Sequence, residues 1–184
     1  MARPGPRPDG NGRALTPARP ASNVESRALR GVLGRFATGI TVLTVGGATP
    51  HGMTANAFTS VSLHPPLVLV CVGREAIMHD TILTAGTFAV SVLHGGQEAV
   101  ARYFSDRRRP RGAAQFDAVG WVPGPITGAP LLVGGLAWVE CALEDSHRGG
   151  DHSIFVGRVL GTARSDDLDA LLFFGGGYHR LVCG

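Results

Sequence analysis

Apolar and polar positions change period several times along the chain. Leu29, Val32, Leu33 and Phe36 recur at i, i+3, i+4 and i+7, the stripe of an amphipathic helix. Ser22 and Glu25 stand ahead of it at capping-box spacing, so the pattern predicts a helix that ends near Gly39. Strand-like runs follow at Ile40–Val45, Met53–Leu63, Leu67–Val72 and Phe88–Leu93. His79–Ala85 and Gln97–Phe104 predict short helices, and residues 105–118 an Arg-rich loop. A short strand is expected around Gly120–Val122. Leu136–Leu143 and His152–Ala163 predict two longer strands joined by a polar turn at Asp145–Gly150. Leu171–Phe174, three glycines and Tyr178–Val182 close the chain. Many short strands, frequent turn signals and few helices predict a mainly β protein, a Greek-key-like antiparallel barrel rather than a parallel doubly wound sheet.

The run from Gly52 to Leu63, closed by Pro65 and Pro66, has an unusual face. Read as one strand, alternation puts Thr54, Asn56, Phe58, Ser60 and Ser62 on one side. Met53, Ala55, Ala57, Val61 and Leu63 fall on the other, with Thr59 its only polar member. The first face carries hydroxyls, an amide and one aromatic, and no charge. Such groups donate and accept hydrogen bonds without burying an ion, which suits a neutral polar ring system. A polar strand face packed under a loop or against another subunit would read the same way.

Length and charge narrow the picture. The 184 residues fit one domain with a substantial core. Residues 1–21 are Pro, Gly, Arg and Ala with few large apolar side chains and are expected to be a disordered tail, leaving 22–184 as the folded domain. Arg3, Arg7, Arg13 and Arg19 against Asp9 account for the net charge of +3, so the remainder is neutral overall. A nucleic-acid binder needs its basic patch on the fold, and that class is set aside. The chain has no Lys, which excludes Schiff-base and P-loop chemistry. Cys71, Cys141 and Cys183 lack metal-like spacing and read as reduced thiols of a cytoplasmic protein. No run of apolar residues is long enough to span a membrane, and no apolar signal region opens the chain.

Several constellations are missing: no G-x-G-x-x-G between strand and helix, no G-x-S-x-G, no H-E-x-x-H, and no His pair at metal-ligand spacing. Arg107, Arg108, Arg109 and Arg111 form a dense positive cluster, either a solvated loop or a contact for a dinucleotide phosphate. The turn at Gly150-Asp151 delivers His152 to the mouth of an apolar strand. There it either rims a cavity or is simply hydrogen-bonded into the framework. Gly175-Gly176-Gly177 precedes Tyr178 and His179, whose rings stand where glycine backbone lets another group approach closely, or on an ordinary turn.

At these residues the chain resembles the short-chain flavin reductases, the reductase components of two-component flavin-dependent monooxygenases. The likeness runs from about Ala28 to Leu181. It is carried by Phe36-Ala37-Thr38-Gly39-Ile40-Thr41-Val42, Gly52–Pro65, Phe88–Leu93, Gly150-Asp151-His152 and Tyr178-His179-Arg180-Leu181. The resemblance implies a homodimeric split β-barrel that binds FMN or FAD, takes hydride from NADH or NADPH, and supplies reduced flavin to a separate monooxygenase. By the same resemblance Thr54, Ala55, Asn56, Ser60, Val61 and Ser62 line the flavin. Arg74, Glu75 and Ala76 fall at its ribityl-phosphate part, and His152, Tyr178 and His179 fall near the nicotinamide. No general acid or base and no metal is expected; His152 is the candidate for positioning the nicotinamide. Many relatives carry Asn at the position of Ser91 and Arg at that of Gln115, so the choice between FMN and FAD stays open. Two other readings remain: a flavin-binding protein without turnover, and an oxygenase or oxidase that keeps its flavin.

Overall fold

The computed structural model describes residues 26–166 and 169–182. The expected tail, the Ser22–Glu25 capping box and Cys183 lie outside the described residues. The chain divides into two units, Met1–Leu33 and Gly34–Gly184. The described part of the first is helix α1 (Ser26–Leu33), none of whose residues is buried. The helix is shorter than its apolar stripe predicts. Phe36 lies beyond it, 76% exposed, and Thr38–Gly39 is already a short strand, β1. Periodicity marks a face and leaves its end open; here a strand ladder claims the backbone that a longer helix would need.

The second unit is built on antiparallel strands. In chain order β2 (Thr41–Val45), β3 (His51–Ala55), β4 (Phe58–Leu63) and β5 (Pro66–Gly73) precede helix α2 (Ile77–Ala85). Strand β6 (Thr87–Val92) leads to helix α3 (Glu98–Ser105) and a 3-10 turn at Gly112–Phe116. Then follow β7 (Trp121–Pro123), β8 (Pro130–Leu132), β9 (Ala137–Gly149), β10 (His152–Arg164), β11 (Ala170–Phe174) and β12 (Gly177–Leu181). Seven strands form the main sheet in the order β3-β2-β6-β9-β10-β5-β4, with β1, β11 and β12 in a smaller sheet. Every pairing is antiparallel, as expected.

The core lies on both faces of the central strands. All five residues of β2 are buried, and alternation sends them to different clusters. Leu43 and Val45 join Val70, Val72, Met78, Ile82, Phe88 and Phe155. Val42 joins Leu93, Ala101, Phe104, Phe116, Leu132 and Leu171 on the opposite face. Each such side chain contributes about 2 kcal/mol through the apolar surface it removes from water. α2 covers the first cluster and α3 the second, so the helices sit where the alternating residues need cover.

Three expectations change. Met53–Leu63 is two strands, β3 and β4, at opposite ends of the main sheet's strand order. Ala55 still pairs with Thr41, whose hydroxyl donates to the Ala55 carbonyl at 2.7 Å; the Ala57 carbonyl already accepts from Cys71 N–H. Asn56 is the pivot at which the backbone changes ladder. The single alternating face therefore does not persist, and the register slips again between Ser60 and Ser62. Second, the expected polar turn Asp145–Gly150 is mostly strand. β9 and β10 stay paired to Gly149 and His152, leaving only Gly150 and Asp151 in the turn. The outer part of this hairpin runs past the core, so its ladder carries exposed polar residues that no hydrophobic pattern marks. Third, β8, a strand to which the sequence pattern assigned no element, pairs with β7. At the β11–β12 turn Gly175 and Gly176 have φ of 61° and 86°, a left-handed pair that only glycine adopts readily.

Candidate flavin and nucleotide site

The change of ladder at Asn56 shapes a cleft of about 840 Å³. One wall is Met53, Thr54, Ala55, Asn56 and Ala57; the other is Gly73, Arg74, Glu75 and Ala76, with Cys71, Arg107, Asp151 and His152 completing it. That volume lies in the range that holds drug-sized ligands. Thr54 is fixed by α3, its hydroxyl donating to the Ala101 carbonyl at 2.7 Å. Asn56 Nδ2 donates to Thr38 Oγ1 at 3.3 Å, which tethers the pivot to β1. The wall between them is short, neutral and held in place.

The opposite wall comes from the end of β5 and the start of α2. Arg74 N–H donates to the Asp151 carbonyl at 2.9 Å, so β5 and the tip of the β9–β10 hairpin are joined at the mouth. Ala76 is the N-cap of α2 and supplies no side-chain hydrogen bond to its first turn. Free backbone N–H groups at a helix start favour an oxyanion. His152 pairs across the ladder with Gly73, and a Cβ there would lie 3.7 Å from His152 Nε2. Asp151 Oδ1 sits 2.9 Å from His152 Nδ1 and sets the orientation of the imidazole.

A second cavity of about 390 Å³ continues from the first, sharing Met53, Thr54, Glu75, Ala76 and Arg107. It adds His51, Ile77, Phe104, Ser105, Arg109, Pro110 and Arg111. Its floor is a buried polar cluster. The Gln115 side-chain carbonyl accepts from Gly52 N–H at 2.8 Å, and its amide donates to the Pro50 and Gly112 carbonyls at 2.9 Å. Arg109 donates to the carbonyls of Asp106 and Gly52. Burial pushes the His51 imidazole down to about 4, and the cations Arg109 and Arg111 add to the shift. His51 is therefore neutral at neutral pH. Burial also lowers the Arg109 guanidinium from its ordinary value. Arg108 is engaged elsewhere: it bonds the Asp106 carboxylate at 3.1 Å and holds that acid below its usual range.

The expected residues separate into two groups. Thr54, Ala55, Asn56, Arg74, Glu75, Ala76 and His152 come together around the cleft. Ser60, Val61 and Ser62 lie on β4, outside its lining; Val61 is 50% exposed. Tyr178 packs edge-to-face on Phe173 and lies under the Arg102 guanidinium, 4.9 Å from the ring centre. His179 Nε2 sits 3.1 Å from the Phe174 carbonyl. Neither lines the cleft; α3 bonds Thr54 through Ala101 and meets Tyr178 through Arg102. Sequence reasoning missed Met53, Ala57, Cys71, Gly73 and Asp151, and it missed His51 as a partner of the arginines. Met53 had been placed on the far face of one continuous strand. Asp151 stood in the Gly150-Asp151-His152 motif with no role of its own; Ala57, Cys71, Gly73 and His51 carry no individual signal, because the fold brings them together from separate strands.

One cluster imitates a hydrolase. His79 lies 2.9 Å from both Ser153 Oγ and Asp80 Oδ1. Ser153 is 8% exposed and lines neither cavity, so nothing is presented to an acyl carbon. Among the described residues no group of His, Cys, Asp and Glu is arranged to hold a metal ion. Nor is any described helix long and apolar enough to cross a membrane.

The fold is an antiparallel sheet with a cleft where the chain crosses between ladders, and one wall of that cleft, Met53–Ala57, carries no charge. The chain belongs to the flavin reductase-like family, whose domain model matches residues 33–182. It is 54% identical over 154 residues to an NADH-dependent FAD reductase of Streptomyces globisporus, covering 84% of this chain and 85% of that one. It superposes with a TM-score of 0.84 on BorF, the flavin reductase component of a bacterial two-component tryptophan halogenase. That match is 54% identical and covers 87% of this chain and all of BorF. The NADH:FAD oxidoreductase SgcE6 of Streptomyces globisporus C-1027, solved with NAD and FAD fragments, matches with a TM-score of 0.81. There the identity is 50%, over 88% of this chain and 98% of that one. The cleft fits such a ligand: its wall is neutral for a ring system, and the uncapped start of α2 suits a phosphate.

Proposed function

We propose that this chain is an NAD(P)H:flavin oxidoreductase that reduces FMN or FAD and supplies the reduced flavin to a separate flavin-dependent monooxygenase. The observation that carries the reading is one cleft in which the neutral wall Thr54–Ala57, the uncapped start of α2 and His152 converge. The hydride chemistry belongs to the nicotinamide and the flavin. The protein's part is to hold the two rings in register and keep water out, and orientation of this kind is worth roughly 7–11 kcal/mol. Thr54, Ala55 and Asn56 face the ring system, while Arg74, Glu75 and Ala76 receive the phosphate end. Backbone N–H groups around Asn56 and Ala57 would stabilise negative charge on a reduced ring, with the Ser60 and Ser62 hydroxyls adding to them where a second copy brings β4 to the cleft. His152, oriented by Asp151, positions the nicotinamide at the mouth.

The reading takes the protein as a homodimer working in the cytoplasm, with residues 22–184 as the binding domain. Exposed Val61, Leu63, Val122, Ile126 and Val133 offer apolar surface for a second copy to cover. Ser60, Val61, Ser62, Tyr178 and His179 then complete the site at or near that contact. Light scattering should report twice the monomer mass.

The deciding experiment is NADH or NADPH oxidation, followed at the nicotinamide band in air with added FMN, FAD or riboflavin. The expected result is a rate that rises with free flavin. Absence of oxidation above the enzyme-free rate would reject the function. A rate independent of added flavin, with flavin carried through purification, would mark an oxidase that keeps its cofactor.

A further inference from the structure

The Asp80–His79–Ser153 cluster presents no nucleophile, but it joins α2 to β10, the two elements that meet at the mouth of the cleft. His79 stands in the first turn of α2, and Ser153 is the second residue of β10. The His79 side chain is 13% exposed and meets two inward positions of β10. Its Nε2 lies 2.9 Å from Ser153 Oγ, and its ring is tilted on Phe155 with centres 5.2 Å apart. Ser153 and Phe155 are both buried, so this is the core face of the strand. A carboxylate accepts and does not donate, so the Asp80 oxygen at 2.9 Å places the ring proton on Nδ1. Nε2 is left as acceptor, and the Ser153 hydroxyl donates to it.

Side chains alternate along a strand, so the face taken by Ser153 decides the face taken by its neighbour His152. His152 lines the cleft with its side chain 49% exposed, and Asp151, which orients it, is 94% exposed. Orientation by so exposed a carboxylate presupposes that the hairpin tip itself is held. The bond from Arg74 N–H to the Asp151 carbonyl ties the tip just before His152, and His79 ties it just after. Two ties, one on each side, stop the strand end from turning about its own axis. We propose that His79 is a positioning residue for hydride transfer: by holding Ser153 and Phe155 on the core face of β10 it keeps the His152 imidazole directed into the cleft. The inference rests on the reading above in which His152 positions the nicotinamide. His79 lines neither cavity, so its effect reaches the substrate through His152.

The test is a double-mutant cycle between His79→Ala and His152→Ala. NADH kinetics, flavin affinity by calorimetry and melting temperature are measured for each variant. His79→Ala should lower kcat/KM for NADH about fivefold and leave the flavin Kd within about twofold. Added to His152→Ala, the same change should have less than about a twofold further effect, since the side chain it directs is already gone. A merely structural role would lower the melting temperature and multiply the two losses. Ser153→Ala breaks the same bond from the other side and should reproduce the loss; it replaces His79→Ala in the cycle should that variant fail to fold. His79→Gln, whose amide oxygen can accept at the position of Nε2, should recover about half of the loss. Unchanged kcat/KM in both His79→Ala and Ser153→Ala overturns the proposal. So do multiplied losses in the double variant, or a matching loss of flavin affinity. A silent His152→Ala, or wild type that oxidises no NADH, would instead remove the reading on which the inference rests. The hold on the tip is then judged by NMR. His152 imidazole resonances that move in His79→Ala and Ser153→Ala towards those of a free imidazole sustain it, and unmoved resonances end it.

Discussion

The two halves of the segment Gly52–Leu63 carry similar side chains and meet opposite fates. In β3, Gly52 is buried, and a Cβ there would come 2.6 Å from Phe104 Cε1 and 3.3 Å from Phe116. Its N–H is held by Gln115, and Thr54 two residues on is held by α3. In β4, Thr59, Ser60 and Val61 are exposed, and Val61 sits at a slip in register. The residues do not make the difference; the cover does. α3 and the turn Gly112–Phe116 pack on β3, and no described element packs on the outer side of β4 in the same way. A run of small neutral residues states that no ion is buried there. Whether it becomes a wall is decided by elements far along the chain.

The strongest way to break the comparison is to remove the cover. Gln115→Ala leaves the Gly52 N–H and the Pro50 carbonyl without partners inside the fold, and should cost about 3 kcal/mol. Gly52→Ala should cost about 2 kcal/mol by pressing a methyl group against Phe104. Matched changes in β4, such as Thr59→Ala, should stay within about 0.5 kcal/mol. Denaturant unfolding of the three variants checks the contrast, and equal losses would dissolve it.

Acid probes the same wall. His51 titrates at about 4 when folded against 6.5 in a free imidazole, so below pH 6.5 the unfolded chain binds a proton that the native chain refuses. Stability should therefore be constant above pH 6.5, fall as pH drops towards 4, and level off below that. The loss reaches up to about 3 kcal/mol from this group. His51→Gln should flatten that limb of the stability–pH curve; an unaltered curve would place the proton elsewhere.

Smaller effects sharpen the boundary of the site. His152→Ala should lower kcat/KM for NADH about tenfold at unchanged flavin affinity and melting temperature, since the side chain is 49% exposed. Unchanged kinetics would free His152 from any positioning role. The double change Ser60→Ala and Ser62→Ala should raise the flavin Kd about threefold if β4 completes the site in a dimer. No change would confine binding to the β3 side. Smallest of all, alkylation should discriminate between thiols. Burial pushes Cys141 up to about 12 and should leave it inert, while Cys71, half-buried in the cleft, should label slowly and be protected by flavin. Peptide mapping reads both.

Much of this was legible from residue patterns. β2, β5, β6 and the inner part of β10 are continuous or alternating apolar runs, and burial is what such runs require. The turn that opens an apolar strand left His152 either at a cavity rim or hydrogen-bonded into the framework, and the fold puts it in the cleft lining. The outer β9–β10 ladder was not legible, because strands that pass beyond the core need no apolar residues. The switch at Asn56 was hidden for a related reason: both of its sides read as strand, and only the partners differ. The floor of His51, Arg109 and Gln115 joins residues 58 to 64 positions apart. Local pattern carries no trace of such a pairing.

The crossing at Asn56–Ala57 has a topological consequence. Two residues of backbone reach no more than about 10 Å, so the free margins of the main sheet are tied together at one point. Unpaired margins are templates on which foreign chains can add. A tether of this length holds each margin close to its opposite and leaves an invading strand little room. A proteolytic nick between residues 56 and 57 would release both at once, and the first symptom should be fibrillar or amorphous self-association rather than lost secondary structure.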